Sequence, residues 1–586
     1  MGDTLQPPTQ DAVSLQAATT SSSSSDRPSA HQAKYDRQLR LWGATGQQGL
    51  QSARILCVGA NGTATQALKN LVLPGIGHFS LLSPTTSTTP SDLGANFFLS
   101  SSSLGKPLAP EAVSLLLELN SDVSGEAITA PVESLTADQI AQFSLVIAVD
   151  VDDPKERNRI SDACWERGVP FIGVRSVGFY GEVRTQVEEI CIIETHPESL
   201  VDLRIQHPFP ALLDYAHSID YATLDSEQHG HVPAVVILVK GLEAWKAAHN
   251  GNPPTGTAER KQFIDEGILA HKRHADEENF DEAVTLYRRA GTKPNVPPEL
   301  EALFNDSACE NISAQSSAFW LLLHSLRAFV RSPSNPSSLL PLSGALPDMK
   351  SSSTSYIALQ TLYKSKAAAD RDAVRALLAE TCDRAGVDAG RRQEAEGELE
   401  SFVKHAAWVR VLRGSRAARD VGEMGVKGQF GALLSAASFQ SPPDLSLHIR
   451  AALLASDAFF LTHSRVPGSS STAQELEQDA TELERLAKGV FGAWAGGEDL
   501  GVYGVEREEV EEALGKVCRE VVRAPPSTTL PQTSSLLGGL VAQEAIKLVT
   551  RQYVPLGRVV APSGRFTGGE TVVWDGVRSG SGVVDA

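Results

Sequence analysis

From Ala33 to about Ile193, short apolar runs alternate with stretches whose apolar residues recur every three or four positions. RILCVGA, HFSLLS, SLVIAVD, PFIGVRS and EICIIE have the aliphatic density of strands, while ATQALKNLVL and APEAVSLLLELN carry the helical period between the first three. Strand and helix alternating in this way build a mostly parallel, doubly wound sheet, so the expected class is α/β and Rossmann-like. After residue 200 the pattern changes. Most segments up to 509 read as helix, as in QELEQDATELERLAKGV, where Leu476, Ala480, Leu483, Ala487 and Val490 share one face. Ser/Pro-rich loops such as RSPSNPSSLLPLSG separate them. PQTSSLLGGLVAQEAIKLVT is then an amphipathic helix rich in small residues, and RVVAP and ETVVWDG again look like strands.

The pattern divides the chain into four segments. Residues 1–30, Ser/Thr/Pro-rich and nearly without large apolar groups, are expected to form a disordered tail. Residues 31–200 begin a sheet domain, 201–509 form a large, mostly α-helical insertion, and 510–586 complete the sheet domain.

Composition narrows the function. With 586 residues, 41% of them hydrophobic, the chain can bury several cores. A formal charge of −19 argues against a nucleic-acid partner, because phosphate-backbone affinity needs clustered Lys and Arg. It favours basic protein partners and equally serves plain solubility. The longest apolar run, PAVVILVKGL, is interrupted by Lys240 and is too short for a membrane span, so no membrane partner is expected. Residues 1–26 hold Asp3, Asp11 and Asp26 but no Lys or Arg, unlike a secretory or transit signal. The six cysteines include no C-x-x-C pair, and His196, His207, His217, His229 and His231 lack metal-ligand spacing, so no disulfide framework or metal site is expected. A cytoplasmic or nuclear location fits.

The segment ILCVGANGTATQALKNL, residues 55–71, has the outline of a dinucleotide turn: strand, small-residue loop, helix. Gly59 and Gly62 remain where the turn wants glycine. Asn61 can adopt a left-handed conformation but puts a side chain near the phosphate path, and Ala64 adds a methyl where the helix should press on the strand. The acid that would hold ribose hydroxyls about 20 residues on is missing. HFSLLSPTTSTTPSD passes through Ser83, Pro84 and Thr85 before reaching Asp92. The loop therefore keeps the fold and loses the nucleotide, and an NAD-dependent dehydrogenase is a poor reading.

Longer phrases carry a family resemblance. KYDRQLRLWGATGQQGLQSARILCVGA (34–60), ALKNLVLPGIG (67–77), ELNSDVSG (118–125) and SSLLGGLVAQEAIKLVTRQYVPL (534–556) resemble the activating enzymes of ubiquitin-like modifiers. The likeness is strongest to the regulatory, non-catalytic subunits that serve the Nedd/Rub modifier. HVPAVVILVKGLEAW (231–245), SAFWLLLHSLRAFV (317–330) and PLSGALPDMKSSSTSYIALQTLYKSKA (341–367) resemble the helical region of those subunits. The regulatory subunit of the Sumo-activating enzyme and a self-sufficient homodimeric adenylating enzyme of ThiF type are alternatives. The long helical middle disfavours the first and missing cations disfavour the second; a scaffold without catalytic contribution stays open.

Active members of the family adenylate a modifier, and the resemblance implies a glycine-rich loop, a ribose-binding Asp, an Arg and a Lys on the phosphates, and a magnesium-binding Asp. Here Ala95 falls where the Arg belongs, Leu108 where the Lys belongs, and Ser83 and Thr85 where acids would sit. Asp150, Asp152 and Asp153 lie near the magnesium position and also read as a solvated loop. None of the cysteines stands in the Pro-x-Cys-Thr-like context of the family's nucleophile, so each reads as structural. The stretch after Lys547 is too short for the ubiquitin-like fold that recruits a conjugating enzyme. The resemblance thus implies a pseudo-adenylation domain that binds no cofactor. ATP and Mg would be held by an obligate catalytic subunit, with the modifier as a second partner and a conjugating enzyme as an indirect one.

One cation keeps a role in this picture. Arg37 in YDRQLRLWG resembles the arginine that reaches from one half of the pseudo-symmetric dimer into the other's ATP site; alternatively it pairs with Asp36 and fixes the N-terminal helix. Tyr35 and Trp42 read as anchors of this segment on the sheet or the partner. In SLLGGLVAQEAIK, Gly538, Gly539, Gln543 and Glu544 read as a dimer seam or, with equal weight, as part of a core helix.

Overall fold

A computed structural model describes residues 29–84, 87–196, 201–290, 296–417, 434, 443–470, 472–496, 505–524, 530–557, 559–560, 566–567, 571–578 and 580–584. All but the end of the expected tail, and Thr85, lie outside the described residues. The chain forms two compact units: residues 1–190, 411–559 and 566–586, and residues 191–410 with 560–565.

The first unit is built on an eight-stranded sheet. In chain order its strands are β1 (Arg54–Val58), β2 (His78–Ser83), β3 (Ser124–Thr129), β4 (Leu145–Val149), β5 (Phe171–Val177), β6 (Tyr180–Gln186), β7 (Thr571–Asp575) and β8 (Gly580–Val584). Their spatial order is β8-β7-β6-β5-β4-β1-β2-β3. β1 lies between β2 and β4, parallel to both, with Ile55 opposite Phe79 on one side and Leu145 on the other. β5 to β8 are successively antiparallel. β1 and β4 are apolar and almost wholly buried, as strands covered on both faces must be. EICIIE contributes the strand Glu189–Ile192, outside this sheet.

Helix α1 (Asp36–Ser52) precedes β1, and α2 (Gly62–Val72) follows it. The final helix, Pro531–Thr550, packs along α2. The approach is so close that a Cβ on Gly538 would lie 2.6 Å from Gln66 Cβ and 2.8 Å from the backbone N of Ala67.

The boundaries of the helical insertion differ from the expected 201–509. Helices Ser446–His463 and Ala473–Ala495 belong to the sheet-bearing unit together with Arg507–Arg523, which is expected there; Ile449, Leu453, Leu483, Val517 and Val521 form one core with Tyr180 and Val573. An amphipathic stripe shows that a helix needs cover, and says nothing of which surface provides it. The second unit is mainly helical: Ala234–Ala248 and the start of the long Ser353–Ala385 lie around Phe263, Phe280 and Tyr363, and Ala318–Val330 packs against Ser353–Ala385. PAVVILVKGL supplies one of its core helices, and Lys240 leaves the apolar surface to donate to the carbonyl of Ile219 at 2.6 Å. No helix among the described residues is long and apolar enough to cross a membrane.

Candidate functional site

In an open α/β sheet the ligand crevice lies at the carboxyl ends of the strands, where the winding reverses. Here that place is between β1 and β4. Gly59 makes the turn at φ +99°, and a side chain there would meet the carbonyl oxygen of Val149 at 2.3 Å. Asn61 does not use the left-handed conformation open to it: it is extended (φ −73°) and caps α2, accepting from the backbone N of Ala64 at 3.1 Å. The residue that turns left-handed at this mouth is Asp150, with φ +48°.

Asp150 closes the crevice from inside. Asn61 Nδ2 donates to its Oδ2 at 2.6 Å, the backbone N of Ser176 donates to its Oδ1 at 2.6 Å, and the Ser176 hydroxyl donates to Oδ2 as well. Burial pushes the Asp150 carboxyl up, and the bonds from Ser176 and Asn61 oppose that shift. Further in, Thr63 Oγ1 lies 3.2 Å from Ser534 Oγ, and Thr65 Oγ1 donates to Asn96 Oδ1 at 2.8 Å. The helix N-terminus that would receive a phosphate is thus occupied by the protein's own side chains.

The cationic positions agree. Ala95 ends the helix Pro90–Ala95 and is buried, and Leu108 starts the helix Leu108–Leu117 half-buried. The nearby Lys106 pairs with Glu111 at 3.4 Å, and Ser83 is buried at the end of β2. Asp153 caps the next helix through the backbone N of Lys155 at 2.8 Å. Asp152 is itself exposed, but desolvation by the surrounding chain and the neighbouring Asp150 push it up to about 6, against the pull of Arg175 and Arg157. Both those arginines bind Asp457, at 2.5 Å from Arg157 and 3.1 Å from Arg175, so each is already held by a carboxylate of the chain. These residues do not fit a nucleoside triphosphate.

Arg37 is placed differently. It stands exposed on the first turn of α1 and, among the described residues, makes no ion pair or hydrogen bond; Asp36 pairs with Arg40 instead, at 3.0 Å. The alternative pairing of Arg37 with Asp36 is therefore not what the structure shows.

Comparison with known proteins settles the family. The ThiF family model matches residues 35–568. A Danio rerio protein named NEDD8-activating enzyme E1 regulatory subunit is 34% identical over 541 residues, 90% of this chain and 96% of that protein. Its Xenopus laevis namesake is 32% identical, over 89% and 94% respectively. The Arabidopsis thaliana NEDD8-activating enzyme E1 regulatory subunit AXL is also 32% identical, over 89% and 95%. The chain belongs to the ThiF family, among the NEDD8-activating enzyme E1 regulatory subunits.

In this ThiF-family chain, four of the six residues expected at an interface lie inside the fold. Tyr35 and Trp42 are buried, Gly538 is pressed against α2, and Glu544 is buried with bonds to Lys547 Nζ (2.7 Å) and the backbone N of Leu556 (2.7 Å). The core reading of the final helix holds for that face. Gly539 has no atom within 4 Å of the position its Cβ would take, and Gln543 is exposed, so the opposite face stays open.

Four of the six cysteines are poor thiolates. Burial pushes Cys57, Cys164 and Cys518 up to about 12 and Cys309 to about 11. Sequence reading missed Ser176 and Asp457, because the bonds that make them matter join segments far apart in the chain.

Proposed function

We propose that this chain is the regulatory half of a heterodimeric enzyme that activates a Nedd/Rub-type modifier, acting in the cytoplasm or nucleus. A catalytic subunit binds ATP and Mg, adenylates the modifier's C-terminal glycine and carries the thioester that passes to a conjugating enzyme. This chain assembles with that subunit and supplies Arg37 to its ATP site. The observation that carries this reading is the contrast between a nucleotide crevice closed by Asn61, Asp150 and Ser176 and an arginine left exposed without a partner. A guanidinium so placed can pair bidentately with phosphate oxygens where charge builds as pyrophosphate leaves.

The test is pyrophosphate exchange with modifier and ATP. The purified chain alone should show none, and activity should appear when the catalytic subunit is added. Arg37→Ala should assemble normally and slow exchange by about tenfold or more, since arginines in analogous sites are worth about 10³ to 10⁵ in rate. Robust exchange by the chain alone would overturn the proposal. Normal kinetics in Arg37→Ala would reduce the chain to a scaffold.

A further inference from the structure

The segment that carries Arg37 is held at both ends. On its N-terminal side, the Tyr35 ring is 1% exposed and lies under Gly75, where a Cβ would come within 2.7 Å of the phenol oxygen. That hydroxyl donates to Asp122 Oδ2 at 2.9 Å and accepts from Asn120 Nδ2 at 3.1 Å. Lys34 closes the same cluster, donating to Asp122 at 2.7 Å and to Asn120 Oδ1 at 2.5 Å. On the C-terminal side, α1 breaks at Trp42 and Gly43, the latter at φ +65°. Trp42 Nε1 donates to Gln47 Oε1 at 2.9 Å, Gln47 Nε2 to the Pro74 carbonyl at 3.0 Å, and Gln552 Nε2 to the Trp42 carbonyl at 2.9 Å.

Tyr35 is the N-cap residue of α1, yet its side chain makes no capping bond; the ring goes down into the fold instead. Its carbonyl accepts the helix's first backbone bond, from Leu39 N at 2.8 Å. The seat of the phenol therefore sets where the helix begins and the direction in which Arg37, two residues on, leaves the surface. The neighbouring Asp36 pairs with Arg40 and not with Arg37.

We propose that Tyr35 and Asp122 are positioning residues for Arg37. The inference rests on the reading of Arg37 given above. A guanidinium that must meet phosphate oxygens in two places tolerates little displacement of its base, and shifts of about 1 Å in such groups can cost about 100-fold in rate. The Tyr35 hydroxyl is a single buried hydrogen-bonding group, so removing it while keeping the ring should cost less, about fivefold.

The experiment uses the assembled heterodimer and a double-mutant cycle. Tyr35→Phe preserves the packing, and Asp122→Ala removes the other end of the bond. Each should lower the exchange rate at saturating ATP about fivefold while leaving assembly unchanged. In an Arg37→Ala background, neither should lower it further. An equal fold-loss with and without Arg37 would mean a purely structural role and would overturn the proposal, as would normal rates in both single variants. If Arg37→Ala itself is silent, the role of Arg37 fails and this inference falls with it. If Arg37→Ala is slow while Tyr35→Phe and Asp122→Ala are normal, only the positioning claim is lost.

Discussion

Two adjacent glycines in the final helix should respond oppositely to the same substitution. At Gly538 an added methyl would lie 2.6 Å from Gln66 Cβ and 2.8 Å from both the carbonyl carbon of Gln66 and the backbone N of Ala67. Backbone atoms of a packed helix cannot swing aside, so the two helices must separate, at about 1–3 kcal/mol for overpacking of this kind. Replacing glycine inside a helix returns about 0.8–1 kcal/mol. The net expectation for Gly538→Ala is a loss of about 0–2 kcal/mol, about 1 at the middle of those ranges. At Gly539 nothing lies within 4 Å, so Gly539→Ala keeps the helix-propensity gain of up to about 1 kcal/mol. Urea unfolding of the purified chain, read in the transition that carries the sheet, should give a lower midpoint for Gly538→Ala and a higher one for Gly539→Ala. Equal midpoints, or a more stable Gly538→Ala, would refute the close packing of this helix on α2. If the open face around Gly539 and Gln543 seats a partner, Gly539→Ala should weaken assembly while stabilising the lone chain.

Further perturbations test polar groups of the sheet-bearing unit. His448 is buried beside Phe491 with both ring nitrogens unbonded, and burial pushes it down to about 4. Its folded pKa lies below its unfolded value, so its contribution is complete above about pH 6.5 and is lost as pH falls toward 4, by up to about 3 kcal/mol. His448→Leu should flatten that part of the stability profile, and an unchanged acid limb would contradict it. Asp152 has the opposite sign: its folded value of about 6 exceeds the unfolded one, so it costs stability as pH rises from about 4 to 6, and Asp152→Asn should be more stable at neutral pH in thermal melts. Asn61→Ala removes the cap of α2 and a donor to Asp150, and chemical denaturation should show a loss of about 2 kcal/mol or more.

Much of this protein was legible in one dimension because the features concerned are local. A run such as RILCV needs no partner to declare itself a buried strand, and Gly59 marks its turn because a side chain there would strike the backbone of Val149. The departure at two positions was legible in the same way: Ala95 and Leu108 carry no charge wherever the chain puts them.

What required three dimensions was the choice of partner for each group. Asn61 read as an obstacle; the fold makes it a helix cap and a donor to Asp150, 89 residues away. Arg157 finds Asp457 300 residues along the chain, and nothing near either residue announces the pair. The apolar stripe of Ala473–Ala495 predicted a helix correctly but could not say that its cover lies in the sheet-bearing unit, so the insertion ended about a hundred residues earlier than its pattern suggested. Gly538 and Gly539 are identical letters, separated only by which side of the helix faces α2. Periodicity and residue chemistry state what each segment can bury or bond. Which surface receives it follows from packing distant segments together, where a bond forms only between groups brought within about 3 Å.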